Sequence, residues 1–220
     1  MADADPEAPD AAPGGTPRAG VRKVHHLSCG SGCLVGRHDI VCHVLLVETE
    51  HGLVLVDTGL GTEQVTSPPK NTGRSFQWGF RPRNDVNETA LTQLKALGYR
   101  AEDVRHIVLT HLDFDHAGGL PDFPHATVHV HEAELAVGQA RATFFERARY
   151  QPGLWAHDVK WQPHSDKGER WYGFPCVRDL AGLPPEILLV PLQGHTRGHA
   201  GVAVDVGGRW ILHCGDAYFH

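Results

Sequence analysis

The 220-residue chain has no block where Lys and Arg crowd together: its 20 basic side chains are dispersed and outnumbered by 26 acidic ones, for a formal net charge of -6. Binding along a phosphate backbone needs clustered cations, so nucleic acid is excluded as the expected partner. No apolar run approaches the roughly 20 residues of a membrane span. The N-terminus also lacks the apolar core of a secretion signal, so the expectations are no membrane and a cytoplasmic location. The expected partner is a small-molecule substrate, with the oligomeric state left open. Cysteine is scarce and odd in number, five residues, with Cys29, Cys33 and Cys42 near the start and Cys176 and Cys214 far apart. That excludes a disulfide framework. The "CGSGC" stretch, Cys29 to Cys33, has no matching second half and reads as reduced thiols in a Gly-rich loop.

With 41% apolar residues the chain can bury one substantial core, so a single domain is expected. Residues 1–20, "MADADPEAPDAAPGGTPRAG", are Ala, Pro, Gly and Asp with little to bury; they read as a disordered tail ahead of a domain over 21–220. "VCHVLLVETEHGLVLVDTG" gives two strands around a polar turn, the second ending at Asp57-Thr58-Gly59. Residues 61–84 read as a long irregular loop bordering a site. In "NDVNETALTQLKALGYR", Val86, Ala90, Leu94 and Leu97 fall at helical spacing, with Asp85 or Asn87 to cap the start and Gly98 to end it. "RHIVLT" and "EILLVPL" read as buried strands, "ATVHVHEAELAVGQARATFFERA" as strand then helix. "GVAVDVGGRWILHCGDA" reads as a hairpin turning at Gly207-Gly208. Strands alternating with helices, plus two hairpins, favour a layered α/β fold with a mixed sheet.

The chemistry concentrates in "THLDFDHAGG", residues 110–119, which sets His111, Asp113, Asp115 and His116 at the end of an apolar strand. In an extended segment His111, Asp113 and Asp115 share a face, and a turn at 115–116, permitted by Ala117-Gly118-Gly119, brings His116 in. Imidazoles suit zinc, iron and manganese, and carboxylates add charge compensation. Such a set begins one metal site or divides between two. Two more clusters end strands: "GHTRGH", Gly194 to His199, and "CGDA", Cys214 to Ala217. Asp216 offers two oxygens, so it is a candidate bridge between two cations. His213 turns to the opposite face and is left out of the site.

Together "THLDFDHAGG", "GHTRGH" and "CGDA", with "LVLVDTG" upstream, resemble the ordered motifs of the metallo-β-lactamase superfamily. The resemblance implies an α/β fold, a four-layer αββα sandwich with its metal centre at one edge of the sheets. It implies that His111, Asp113 and His195 hold a first metal, that Asp115 and His116 serve a second, and that Asp216 bridges. Asp57 would brace the ligand loops, and His199 would be structural. One or two divalent ions are expected, zinc favoured, with iron or manganese admitted because Asp113 stands where hydrolytic members carry histidine. Binuclear members also take a histidine from beyond the "GD" motif. His220 stands only four residues past Asp216 and is not given that part, so either the second metal is incompletely held or the fold lacks its C-terminal part.

The implied activity is metal-activated hydrolysis of an ester, lactone or thioester carbonyl, lactone favoured by likeness to the N-acyl homoserine lactonase branch. Asp115 would guide water and carry a proton, and Tyr218 would hydrogen-bond the substrate. The alternatives are an iron-dependent oxidoreductase on the same fold and a non-catalytic metal-binding protein. Phe76, Trp78 and Phe80, and Trp155, Trp161 and Trp171, are expected to frame the substrate or to anchor loops to the core.

Overall fold

The computed structural model describes residues 20–33, 39–67, 80–175 and 180–218. The expected tail over 1–20 therefore lies outside the described residues except for Gly20, and so do Phe76, Trp78, Cys176 and His220.

A six-stranded sheet runs in the order β1 (Val21–Cys33), β2 (Asp39–Thr49), β3 (Gly52–Val56), β4 (Val104–Val108), β5 (Thr127–His131) and β6 (Lys160–His164). The first three strands pair antiparallel and the rest parallel. A second sheet has the order β11 (Trp210–His213), β10 (Ala200–Asp205), β9 (Ile187–Pro191), and a short ribbon joins β7 (Arg170–Trp171) to β8 (Phe174–Pro175).

The period-2 alternation of the strands decides the layering. In β2, Val44 and Leu46 point into a core shared with Ile107, Leu109, Val128 and Val130 and closed by Ala90, Leu94 and Leu135 from helices. Their neighbours Leu45 and Val47 point the other way, meeting Val54, Val56 and Val108 and, from the second sheet, Ile187, Leu189, Val202 and Val204. Helices cover one face of the large sheet, and the small sheet covers the other. This is the layered α/β architecture expected from the alternating elements. The described helices are short, and none is long and apolar enough to cross a membrane.

The helices are α1 (Thr62–Thr66), α2 (Ala90–Ala96), α3 (Phe114–Ala117), α4 (Glu132–Ala140) and α5 (Phe144–Arg149). Sequence periodicity overextended α2. Val86 lies in a separate 3-10 turn capped by Asp85, and the helix begins only after Thr89, whose hydroxyl accepts the Thr92 N–H. Val86 and Leu97 stay about 40% exposed, whereas Ala90 and Leu94 are buried. The "CGSGC" stretch is not a loop but the end of β1, where a register shift between Ser28 and Ser31 takes up Gly30; Cys29 is buried there.

Candidate metal centre

The site lies where β3, β4 and the second sheet end together. Past β3 the chain turns sharply at Asp57, whose φ is 60°, and at Gly59, φ 64°, where any Cβ would lie 2.1 Å from the carbonyl oxygen of Cys29. Only glycine fits that approach. The turn buries the Asp57 carboxylate completely. Its Oδ1 accepts the Thr110 N–H at 2.7 Å and its Oδ2 accepts the Thr110 hydroxyl at 2.8 Å.

This carboxylate sets the histidine tautomers. The Thr110 hydroxyl spends its proton on Asp57, so it accepts one from His111 Nδ1 at 2.8 Å. His116 Nδ1 donates directly to Asp57 Oδ2 at 2.7 Å. Both rings consequently turn Nε2 toward one space; His111 offers its lone pair there, and His116 would offer one on giving up the proton it shares with Asp216 Oδ1. His111 Nε2 is buried and has no hydrogen-bond partner among the described residues. A polar atom orphaned in this way fits a metal ligand.

The expected turn at 115–116 comes two residues earlier. Asp113 is the last extended residue, and α3 opens at Phe114, so Asp115 and His116 leave the strand face on a helical turn. His116 thus enters the site by helical rotation. Asp216 reaches the same space because Gly215, φ 52°, slips between Thr110 and His199; a Cβ there would stand 2.7 Å from His199 Nε2. His199 is neutral, pushed down to about 4 by burial and the His111 ring. Its Nδ1 donates to the Leu192 carbonyl at 2.9 Å and its Nε2 accepts the Asp216 N–H at 3.0 Å. It therefore positions Asp216.

Ligand atoms of His111, His195 and Asp216 all lie within 4.8 Å of one another. Asp216 Oδ2 is 3.3 Å from His195 Nε2 and 4.0 Å from His111 Nε2, whereas its Oδ1 faces His116 Nε2 at 3.1 Å. Asp113 Oδ2 is 3.2 Å from His111 Nε2 and 3.1 Å from His195 Nε2. Zinc–nitrogen and zinc–oxygen bonds of about 2.0–2.1 Å set tetrahedral donors about 3.3 Å apart. Most of these separations match that spacing, so the donor set fits a cation. Asp115 Oδ2 stands 3.8 Å from His116 Nε2, on the side of the second set.

The electrostatics agree with that fit. Burial pushes the His116 imidazole down, but Asp57, Asp115 and Asp216 together pull it well above its ordinary value. A field that holds a proton so firmly also attracts a metal ion. Burial raises the Asp115 carboxyl. For Asp216 burial is outweighed by the His116 hydrogen bond and the neighbouring imidazoles, which hold it low.

Two contributors escaped the sequence reading. Glu134 on α4 is fully buried; it accepts the Leu112 N–H at 3.0 Å, the Thr196 hydroxyl at 2.6 Å and the Gly198 N–H at 3.2 Å, and so staples the 111–113 and 194–199 loops together. Arg149 ends α5 and grips Asp113 through two 2.6 Å bonds. Neither has a sequence signature, because both act across distances of more than 20 positions. His213, set aside from the ligands, is buried 4.0 Å from Asp57 Oδ2 and donates Nε2 to the His43 carbonyl.

The described tryptophans of that set pack against the sheets and helices rather than line the site. Trp155 and Trp161 pack edge to face against the helix-side core, and Trp171 packs on Trp210 over the outer face of the small sheet. Phe80 is buried edge to face against Phe114. A cavity of about 630 Å³ does open beside His195, lined by Val137, Phe145, Arg149, Tyr150, Gln193 and Arg197 among others. Phe145 is 83% exposed at its rim, and Tyr218 is 68% exposed.

The sequence pattern of the metallo-beta-lactamase superfamily matches residues 39–219. A probable metallo-hydrolase of Mycobacterium tuberculosis is 51% identical over 200 residues, covering 90% of this chain and 63% of the relative. The chain thus spans under two thirds of that relative's length. An N-acyl homoserine lactonase of Bacillus cereus is 34% identical over 160 residues, 73% of this chain and 56% of the lactonase. Among solved structures, an N-acyl homoserine lactone hydrolase with N-hexanoyl-L-homoserine bound at its catalytic metal centre superposes with a TM-score of 0.63 at 22% identity, over 84% of this chain and 71% of that one. A probable metal-dependent hydrolase from Staphylococcus aureus gives 0.64 at 18% identity, over 88% and 72%. At those identities the two structures speak for the fold.

Proposed function

Because the chain belongs to the metallo-beta-lactamase superfamily, we propose that it is a metal-dependent hydrolase cleaving a carbonyl ester-type bond, with a lactone the favoured substrate. The observation that carries the reading is the pair of imidazoles held by one buried carboxylate, each aiming its Nε2 at a different oxygen of Asp216. In this reading His111, Asp113 and His195 hold one cation, Asp115 and His116 a second, and Asp216 both. When bound, divalent ions supply hydroxide near neutral pH and polarise the scissile carbonyl.

The chain's own residues do the rest. Asp57 and Thr110 keep His111 and His116 in the tautomer that offers Nε2. Asp115, a carboxylate raised by burial, orients the attacking water and carries its proton to the leaving oxygen. Tyr218, exposed two residues past Asp216, donates its hydroxyl to the substrate carbonyl. The resemblance to a lactonase at 34% identity supports the choice of a lactone, and the cavity beside His195, lined by polar side chains together with Val137, Phe145 and Tyr150, has room for an acyl group.

The test is a panel of acyl lactones, esters, thioesters and β-lactams assayed with zinc, manganese and iron after chelator treatment. Lactone turnover restored by metal, and abolished in His116→Ala, is the expected result. Iron content accompanied by oxygen consumption would overturn the hydrolase reading in favour of an oxidoreductase. Metal binding without turnover of any member of the panel would leave a non-catalytic metal protein.

A further inference from the structure

Arg149 holds an unusual place for a cation, because it stands among the ligands of a site that should attract cations. It is the last residue of α5, whose start is fixed by a reciprocal cap between Thr143 and Glu146, and it is followed by Tyr150, buried to 2% exposure. The helix end is therefore anchored, and the guanidinium is delivered inward. Its Nε donates to Asp113 Oδ1 and its Nη2 to Asp113 Oδ2, each at 2.6 Å. Nη2 also donates to His195 Nε2 at 2.6 Å, and Nη1 to the His195 carbonyl at 3.1 Å. An exposed ion pair worth little is typically long and loosely oriented. Here the pairing is side-on, doubly bonded and made to a carboxylate that is 95% buried, the geometry in which guanidinium and carboxylate bind most specifically.

Two consequences follow from these contacts. The nitrogen Nε2 of His195 has one lone pair, and Arg149 takes it; a cation bound by His195 must displace that donor. Asp113 is different, since a carboxylate oxygen has lone pairs enough to keep Arg149 while facing a metal. Its negative charge is then matched by the guanidinium, so the pair contributes an oxygen donor with no net charge. We propose that Asp113 and Arg149 form one neutral ligand unit, in which Arg149 fills the site's place for positive charge until a metal ion takes His195 and thereafter offsets Asp113. Arg149 is thus a positioning residue. The added anionic charge that would bias the first site toward manganese or iron is offset within the chain, and the balance returns toward zinc.

The inference rests on the metal reading of the site but not on which bond is cleaved, so its test reads metal and not turnover. Zinc affinity is measured by competition with a chromophoric chelator, and thermal unfolding is followed with and without zinc, for the wild type, Arg149→Met, Asp113→His and the double variant. Asp113→His supplies an imidazole in place of the carboxylate but leaves the guanidinium on His195 with its counter-charge gone, so it should bind zinc about tenfold more weakly, the loss typical when the group behind a ligand, here His195, is disturbed. Adding Arg149→Met should recover most of that loss. Arg149→Met alone should enlarge the zinc-induced rise in Tm, since it removes a bond made only in the metal-free state.

Asp113→His binding as tightly as the wild type, or a double variant no better than Asp113→His, overturns the proposal. If the Asp113→His protein does not fold, Arg149→Met decides alone, and an unchanged zinc-induced rise in Tm refutes it. A wild type that binds none of zinc, manganese and iron defeats the metal reading as well. A wild type that binds metal with the expected coupling but hydrolyses nothing defeats only the hydrolase reading.

Discussion

His116 Nδ1 donates to Asp57 Oδ2 across 2.7 Å, and that same oxygen accepts the Thr110 hydroxyl which orients His111. One buried carboxylate thus fixes the imidazoles of both proposed cation sets, though it faces neither. Burial alone would push Asp57 up, but the His116 charge and hydrogen bond hold its carboxyl far below the ordinary range. Asp57→Ala is expected to lower metal affinity about 10–100-fold. It should also destabilise the fold by about 1–3 kcal/mol for each Thr110 group left without an acceptor. Asp57→Asn keeps the shape and one acceptor, and should bind metal more weakly while losing less stability than Asp57→Ala. Chelator competition and calorimetry separate the two effects; an Asp57→Asn protein with wild-type affinity would refute the tautomer argument.

His199 is expected to act through Asp216 alone. It accepts that residue's N–H and donates to Leu192, so His199→Phe frees the loop that carries the Asp216 carboxylate. Metal per chain, read by elemental analysis, should fall below the wild-type value. His199→Gln, whose amide can both accept and donate, should restore part of it. Equal metal content in the phenylalanine variant would show that Asp216 is held by other means.

A row of imidazoles crosses the large sheet: His106 Nδ1 meets His129 Nε2 at 2.9 Å, and His129 Nδ1 meets His164 Nε2 at 2.9 Å. Burial, reinforced by its two neighbours, pushes His129 down to about 3 from 6.5; burial also lowers His106 and His164. The folded state therefore disfavours protons that the unfolded chain binds below pH 6.5. The stability is fully present above that pH and drains away as pH falls toward 3. At pH 5 the loss from His129 alone is roughly 2 kcal/mol. Urea unfolding at pH 7.5 and pH 5 should show it, and His129→Leu should flatten the difference. An unchanged pH dependence in that variant would place the acid sensitivity elsewhere.

What the sequence disclosed follows from the range of the interactions involved. The unbroken apolar runs "VLLV" and "ILLV" mark strands covered on both faces, so the layering was legible, as was the Gly207-Gly208 hairpin, whose φ values of 87° and 86° suit glycine. The gathering of His111, His195 and Asp216 was legible only through the resemblance of motifs, because strand periodicity says nothing about which strand ends meet. Periodicity misled where a cap competed with it. The Thr89 hydroxyl, bonded to the Thr92 N–H, opens α2 four residues past Val86. Arg149 and Glu134 were not legible because a buried charge reads like a surface one until its partner is known. Asp113 and Arg149 stand 36 positions apart, and nothing local marks them as a pair.

Phe145 offers a measure of substrate that is independent of the metal. It projects from α5 at 83% exposure, and it lines the same cavity as Val137, Tyr150 and His195. An apolar ring left in water beside a reactive edge gains by covering an acyl chain, at about 0.8 kcal/mol for each methylene buried. If the substrate is an acyl lactone whose chain lies along α5, Phe145→Ala should raise KM about tenfold for a long-chain substrate and barely for a short one, with kcat unchanged for both, because uniform binding is what the ring supplies. The ratio of the two KM changes is the informative quantity: a general weakening of the helix raises both equally. Equal changes would move the acyl chain away from α5 and leave the exposed ring without a part in substrate binding.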